Sequence, residues 1–245
     1  MSNPRWLAAA CGLLVLGCSG AASAAGPART VLVELFTSEG CSSCPPADAV
    51  LAGLLADQPV AGARILAFEE HVTYWDDLGW KDPFGSPQFT ERQRLYAAVR
   101  GGSSVYTPQM VVDGRYAFVG SSRGDALHAV REQLSLPVAV ALSQTSAESG
   151  GARLSATPQA ALPEPAQLWL AQVQRNVDSQ VARGENGGRQ LHHAAVLRQL
   201  QLLGQLEPGS DAPLDVELPA RGSGEWLAFV QGERSRQIYA SAALR

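Results

Sequence analysis

Hydrophobic positions in the first half of the chain predict strands and helices in alternation. Residues 30–36 are β-branched and apolar, which is typical of a buried strand, and residues 63–69 form a second such run. Between them, residues 47–56 carry apolar side chains at helical spacing behind Pro45-Pro46, a pair that suits the first turn of a helix. The order strand, helix, strand favours a parallel sheet.

The next segment is rich in aromatic residues and then leads into a hairpin. Residues 71–100 contain early X-Pro breaks followed by a helical pattern at 88–99, so we expect a loop and then a helix. Asp113-Gly114 between two short apolar runs is a strong hairpin signal. Residues 124–134 place their apolar side chains on one helical face. Together these elements predict an α/β domain over residues 28–134.

From about residue 135 the pattern changes to short alternating runs with turn residues between them. Residues 191–203 fit both a strand and a helix, whereas the other runs have strand character. We therefore expect a small all-β, β-sandwich-like domain over residues 135–245. Its expected role is to position a partner or to form a dimer.

Residues 1–24 have the pattern of a secretory signal peptide. Arg5 precedes a short apolar run, and Ala22-Ser23-Ala24 fits the small-residue cleavage rule. A lipoprotein signal that ends before Cys18 is a second interpretation, and an uncleaved anchor helix is a third. We expect an exported chain, secreted or periplasmic, that is attached to a membrane only if Cys18 carries a lipid.

Composition narrows the class of protein. The chain has 245 residues, of which 46% are hydrophobic and 17% charged, so it can form a packed core. Its net charge is −4 and it has no dense basic run, which argues against a nucleic-acid partner. Beyond the N-terminus no apolar run reaches about 18 residues, which excludes a multi-pass membrane protein. No glycine-rich phosphate loop follows a strand, so we expect no dissociable organic cofactor.

The candidate chemistry lies at Cys41-Ser42-Ser43-Cys44, between the first predicted strand and helix. Two cysteines at this spacing bring their sulfurs close enough to bond. A helix N-terminus would stabilise the Cys41 thiolate, the nucleophile of disulfide exchange, whereas the more shielded Cys44 suits the resolving role. The alternatives are a structural disulfide and a metal site with His71 as a third ligand. Because no second C-x-x-C supplies further ligands, we assign no metal ligands.

Four segments resemble the signature of the DUF1223 family. Residues 33–48 read VELFTSEGCSSCPPAD, residues 71–76 HVTYWD, residues 106–109 YTPQ and residues 183–186 RGEN. Members are secreted bacterial proteins with a thioredoxin-like fold, and the resemblance extends from about residue 30 to the C-terminus. It implies that residues 28–134 form a thioredoxin-like domain that contains residues 71–100 as an aromatic insert.

The wider resemblance to thioredoxin-like proteins implies further roles. Thr107-Pro108 falls where these folds carry a cis-proline beside the dithiol, so Pro108 would shape a substrate groove and the Thr107 backbone would pair with an extended peptide. The alternative is a trans proline that opens an edge strand. Thioredoxins also carry a buried acid six positions before the first cysteine. Leu35 stands there, which leaves Glu34 as a candidate base or as an ordinary surface acid.

The aromatic insert follows the carboxyl end of the second predicted strand, where open α/β sheets place their sites. His71 and Trp75 are expected to form part of a lid or groove near Cys41, in which His71 would stabilise the thiolate or accept a proton. The alternative is that the insert simply covers one side of the sheet. Three histidines are expected to be ordinary surface or packing residues: His128, His192 and His193.

These observations predict an exported thiol–disulfide oxidoreductase-like protein that exchanges disulfides with protein or small thiols. Cys41 would attack, Cys44 would resolve, and Pro108 would shape the groove. One alternative is a binding module in which Cys41–Cys44 is a stable disulfide. The other is a copper or zinc chaperone that uses Cys41, Cys44 and His71.

Overall fold

The computed structural model describes residues 28–146, 151–220 and 222–245, so the predicted signal peptide 1–24 and Cys18 lie outside the described residues. Strands and helices alternate first: β1 (Arg29–Thr37), α1 (Pro45–Asp57), β2 (Ala63–His71), α2 (Pro87–Val99), β3 (Gln109–Val112), β4 (Tyr116–Val119) and α3 (Arg123–Gln133). Strands follow: β5 (Val140–Ser146), β6 (Ala152–Pro158), β7 (Ala166–Gln180), β8 (Gln190–Leu206), β9 (Leu214–Glu217), β10 (Glu225–Gly232) and β11 (Ile238–Leu244). No described helix has the length and apolar character needed to cross a membrane.

Eight strands form one mixed sheet in the order β11-β10-β7-β8-β2-β1-β3-β4, and the other three form an antiparallel sheet, β5-β6-β9. The predicted parallel pair is confirmed, since β1 and β2 are parallel along their whole length. β2 also pairs in parallel with β8, at Glu69 and Val196, and β8 is the second strand of the long β7–β8 hairpin. The hairpin therefore extends the sheet of the first half of the chain.

This topology corrects the domain prediction for residues 135–245. The region is rich in strands, as expected, but it is not a separate β-sandwich, because β7, β8, β10 and β11 continue the sheet that contains β1 and β2. The ambiguous residues 191–203 lie within strand β8. Antiparallel pairing with β7 along most of β8 settles what the local pattern left open.

Both faces of β1 are buried, which explains why its sequence is apolar from Val31 to Phe36 except at Glu34. Alternate residues of a strand face opposite ways. Val31, Val33 and Leu35 pack with α1 and α3 on one face. On the other face, Leu32 packs with Phe89 of α2 and with apolar residues of β7, β8 and β10.

One buried cation joins three strands on that second face. The Arg92 guanidinium of α2 lies 2.6 Å from a carboxylate oxygen of Glu34 in β1 and 3.2 Å from one of Glu70 in β2. Its Nη1 also donates to the Gln231 side-chain oxygen of β10 at 2.7 Å. Because buried carboxylates are costly without a partner, Arg92 stabilises the contact of α2 with the sheet.

Replacing Arg92 is expected to destabilise the fold. Arg92→Met leaves Glu34 and Glu70 buried without their counter-charge, so the free energy of unfolding in urea should fall by about 3–5 kcal/mol. Arg94→Met is the matched control, because Arg94 is 58% exposed and its ion pair with Glu91 is 3.6 Å long. The control should change stability by less than about 0.5 kcal/mol. Equal losses in the two variants would contradict this role of Arg92.

Candidate functional site

Cys41 and Cys44 form a disulfide in the loop between β1 and α1, with their Cα atoms 5.4 Å apart. Hydrogen bonds along the backbone fix the loop: the Cys41 amide donates to the Ser38 carbonyl at 3.1 Å, and the Cys44 amide donates to the Cys41 carbonyl at 3.2 Å. The N-cap of α1 is Cys44, and the helix begins at Pro45. Cys41 therefore lies one turn before the helix, not at its N-terminus as expected from the sequence.

Neither cysteine is exposed in the disulfide form. Cys41 and Cys44 each have 0% of their surface accessible, whereas Ser42 and Ser43 between them are exposed. The expectation that Cys41 is the accessible member of the pair is therefore wrong for this state. The physical reason is a contact with a turn of the C-terminal region.

Residues 181–189, which we name the covering turn, connect β7 and β8 and lie on the disulfide loop. Asn186 Nδ2 donates to the carbonyl oxygens of Glu39 and Cys41, both at 2.9 Å. The Ser42 amide donates to the Glu185 carboxylate at 3.0 Å. Gly184 has a φ of +76°, a conformation that favours glycine. The RGEN segment thus supplies the backbone geometry and the polar contacts that hold the turn on the loop.

The aromatic insert contacts the disulfide loop from another side. A Cβ added to Gly40 would lie 3.1 Å from the Cβ of Trp75. The Trp75 indole N–H donates to the Thr107 hydroxyl at 2.8 Å. Trp75 therefore joins the residue before Cys41 to the segment that precedes β3.

Pro108 lies beside the first turn of α1. A Cβ added to Gly120 would lie 3.0 Å from the Ala47 side chain and 3.3 Å from that of Pro108. The Thr107–Pro108 peptide bond is cis, and Pro108 is buried. Trp75, Thr107 and Pro108, all selected from the sequence, are thus brought to the region of the disulfide loop.

Glu39, two residues before Cys41, is a buried carboxylate held by several donors. It accepts hydrogen bonds from the Trp80 indole N–H at 2.7 Å and from the Ser179 hydroxyl, and His193 Nε2 lies 3.3 Å away. Its own amide donates to Asp82 at 2.8 Å. Burial alone would raise the pKa of Glu39, but the hydrogen bonds from His193, Ser179 and Trp80 lower it below its ordinary value. Sequence reasoning did not single out this residue.

His71 reaches the disulfide loop through Asp82. Its Nδ1 lies 2.8 Å from the Asp82 carboxylate, which also accepts the Glu39 amide. Burial favours a higher pKa for Asp82, but the charge of His71 and its hydrogen bond hold that pKa below the ordinary value. His71 is fully buried between the Asp82 carboxylate and the rings of Phe84 and His193. No direct contact with Cys41 supports its expected role at the thiolate.

His193 is a site residue that the sequence analysis missed. We expected an ordinary packing residue, but its ring centre lies 4.8 Å from that of His71, and its Nδ1 lies 3.6 Å from the Glu69 carboxylate. The pairing of β8 with β2 produces these contacts. A usable signal is the His192-His193 pair within a strand pattern, since alternation exposes one ring and buries the other.

Asp48 is a second buried acid close in sequence to the disulfide. It lies four residues after Cys44 on α1, a spacing that places two side chains on one helix face. The Thr37 hydroxyl donates to it at 2.9 Å. Burial raises the pKa of Asp48 to about 6, although the charge of His193 and the hydrogen bond from Thr37 act in the opposite direction.

Glu34, which the sequence offered as a candidate base for the cysteine pair, is not part of the site. It lies on the face of β1 opposite α1, where Arg92 pairs with its carboxylate and the Tyr96 hydroxyl donates to it. Strand alternation makes the reason simple: Leu35 occupies the face toward α1, so Glu34 points away from it.

Comparison with known proteins identifies the family. The chain matches the family model described as "Protein of unknown function (DUF1223)" over residues 32–231, and it therefore belongs to that family. No functionally curated protein matches it. The crystal structure of protein AGR_C_4864 from Agrobacterium tumefaciens is similar, with 28% identity and a TM-score of 0.69 over 89% of this chain and 94% of that one. The match spans the α/β half and the strand-rich half together.

Loosening the covering turn is expected to expose the disulfide. Asn186→Ala removes the two hydrogen bonds between the turn and the loop, worth about 1 kcal/mol each, so reduction by a water-soluble phosphine should become roughly thirtyfold faster. The rate is measured by alkylation of the released thiols and mass spectrometry. Arg183→Ala is the control, because Arg183 is an exposed residue of the same turn and should leave the rate unchanged. If Asn186→Ala matches the control, the covering turn does not limit access.

Proposed function

We propose that the chain is an exported thiol–disulfide exchange protein whose redox centre is the Cys41–Cys44 pair. The observation that carries this proposal is the position of the disulfide, between the end of β1 and the start of α1. This is the carboxyl edge of the parallel β1–β2 pair, where α/β sheets usually bind their ligands. The exposed Ser42 and Ser43 present the loop to a partner.

The arrangement of the first half of the chain supports this proposal. We infer that residues 28–134 form a thioredoxin-like domain with the insert 71–100. The strand order β2-β1-β3-β4, with α1 and α3 packed on one face and α2 on the other, is similar to that of thioredoxin-like proteins. Trp75, Thr107 and Pro108 then flank the redox loop, on the side where an extended partner segment would bind.

The energetics favour exchange over a purely stabilising disulfide. A disulfide that closes so short a loop removes little entropy from the unfolded chain, about 2 kcal/mol, compared with roughly 4–5 kcal/mol for a loop of about 100 residues. The loop is also held by the hydrogen bonds that the Cys41 and Cys44 amides donate and by the hydrogen bond from Asn186 to the Cys41 carbonyl. Thiol chemistry therefore explains the pair better than stability does.

The exchange cycle follows from ordinary thiol–disulfide chemistry. A partner thiolate attacks the Cys41 sulfur, a mixed disulfide forms, and Cys44 leaves as a thiolate that takes up a proton. A second thiolate of the partner then attacks the mixed disulfide and releases Cys41. The chain gains two electrons and the partner dithiol becomes a disulfide. In the reverse direction Cys41 attacks a partner disulfide and Cys44 resolves the intermediate.

Access to the sulfurs requires movement of the covering turn. The turn is held on the loop by the two bonds of Asn186 and the one bond between Ser42 and Glu185. A partner that replaces these backbone hydrogen bonds with its own would open the site as it binds. Export through residues 1–24 would place the chain where disulfides persist, with membrane attachment only through a lipid on Cys18.

Trapping of a mixed disulfide tests the proposal. Cys44→Ser leaves Cys41 without its resolving partner. Incubation with native, disulfide-bonded insulin as a model substrate should therefore give a covalent complex that dithiothreitol separates by reducing the mixed disulfide. The complex is measured by non-reducing electrophoresis and mass spectrometry. The matched variant Cys41→Ser should give less than a tenth as much. Equal trapping by both variants would refute the assigned roles, and no complex with either would refute the exchange function.

A further inference from the structure

Three buried ligand-type atoms without hydrogen-bond partners lie together in the described part of the chain. They are Glu69 Oε2, His71 Nε2 and His193 Nδ1. The ligand atoms of these three side chains all lie within 4.8 Å of one another. The side chains of Glu69 and His71 have 0% exposure and that of His193 has 1%. Buried polar atoms are almost always paired, so three unpartnered ligand-type atoms in one place point to a bound group.

We propose that Glu69, His71 and His193 bind a divalent transition metal ion of the Zn²⁺ class. Two imidazole nitrogens and a carboxylate oxygen form a donor set that suits zinc, and three protein ligands with a fourth position free are typical of reactive zinc sites. This site is separate from the sulfur pair and does not depend on disulfide exchange.

The second nitrogen of each imidazole supports the assignment. Metal-binding histidines almost always direct their other ring nitrogen to a carboxylate or a carbonyl, which fixes the tautomer and the ring orientation. His71 Nδ1 lies 2.8 Å from Asp82, and His193 Nε2 lies 3.3 Å from Glu39. With these second nitrogens held by carboxylates, each neutral ring would present its other nitrogen to the proposed metal.

Glu69 is positioned in the same way. One of its oxygens accepts the Ala194 amide at 3.1 Å, while the other lies 3.6 Å from His193 Nδ1, beyond hydrogen-bond distance. Tetrahedral bonds of about 2.0–2.1 Å place ligand atoms about 3.4 Å apart, so atoms that lie up to 4.8 Å apart would approach by at most about 1.4 Å. A bound cation would also offset the buried charge of Glu39 and Asp82.

Metal retention by the full chain tests the proposal. The protein is kept with Cys41–Cys44 oxidised and its remaining thiols alkylated, so that sulfur cannot contribute ligands. It is stripped with a chelator, loaded with Zn²⁺ and passed through gel filtration, and the retained metal is measured by mass spectrometry of the element. We expect about one equivalent per chain. Cobalt(II) should give the visible absorption of a four-coordinate site with nitrogen and oxygen ligands.

Three variants decide whether these residues are the ligands. Glu69→Gln keeps the shape of the side chain and its hydrogen bond from Ala194, so the fold should survive while metal retention falls at least tenfold. His193→Ala should lose retention as well. His192→Ala is the matched control, because His192 is 53% exposed and pairs with Asp178, and it should retain a full equivalent. Retention below about 0.2 equivalents by the parent chain, or unchanged retention in Glu69→Gln and His193→Ala, would overturn the proposal.

Discussion

The buried carboxylate of Glu39 is the constraint on which the candidate site depends. A charge removed from water must be matched by donors, and here these come from Trp80 in the aromatic insert and from Ser179 and His193 in the β7–β8 hairpin. Because Glu39 is two residues before Cys41, the same contacts fix the disulfide loop against both regions. The site is therefore assembled only when the hairpin has joined the sheet.

Glu39 contacts both proposed sites, but through different atoms: its carbonyl oxygen accepts from Asn186 and its carboxylate lies beside His193. Asn186 holds the covering turn on the disulfide loop, while the Glu39 side chain orients His193, whose other nitrogen lies in the proposed metal site. Opening of the covering turn would disturb hydrogen bonds to the backbone of Glu39 and Cys41 and leave the carboxylate bonds of Glu39 in place. Exchange at the disulfide and metal binding by Glu69, His71 and His193 can therefore be tested separately.

Local patterns in the sequence predict much of the fold and part of the site. Apolar periodicity predicts β1, α1 and β2, and Asp113-Gly114 predicts the β3–β4 hairpin. The spacing of Cys41 and Cys44 predicts that their sulfurs can bond, as they do. The pairing of β8 with β2 is a contact between segments distant in the chain, and periodicity carries no information about it. His193 and the covering turn were missed for that reason. Glu34 was misassigned because a single-residue offset on a strand reverses the face that a side chain occupies.

The reduction potential of the Cys41–Cys44 pair tests the central claim most directly. The purified chain is equilibrated in glutathione redox buffers, and the fractions of dithiol and disulfide are counted after alkylation. An exchange protein should give a midpoint between about −300 and −100 mV, the range that includes the known thiol–disulfide catalysts. A midpoint well below about −300 mV is typical of structural disulfides and would contradict the proposed function.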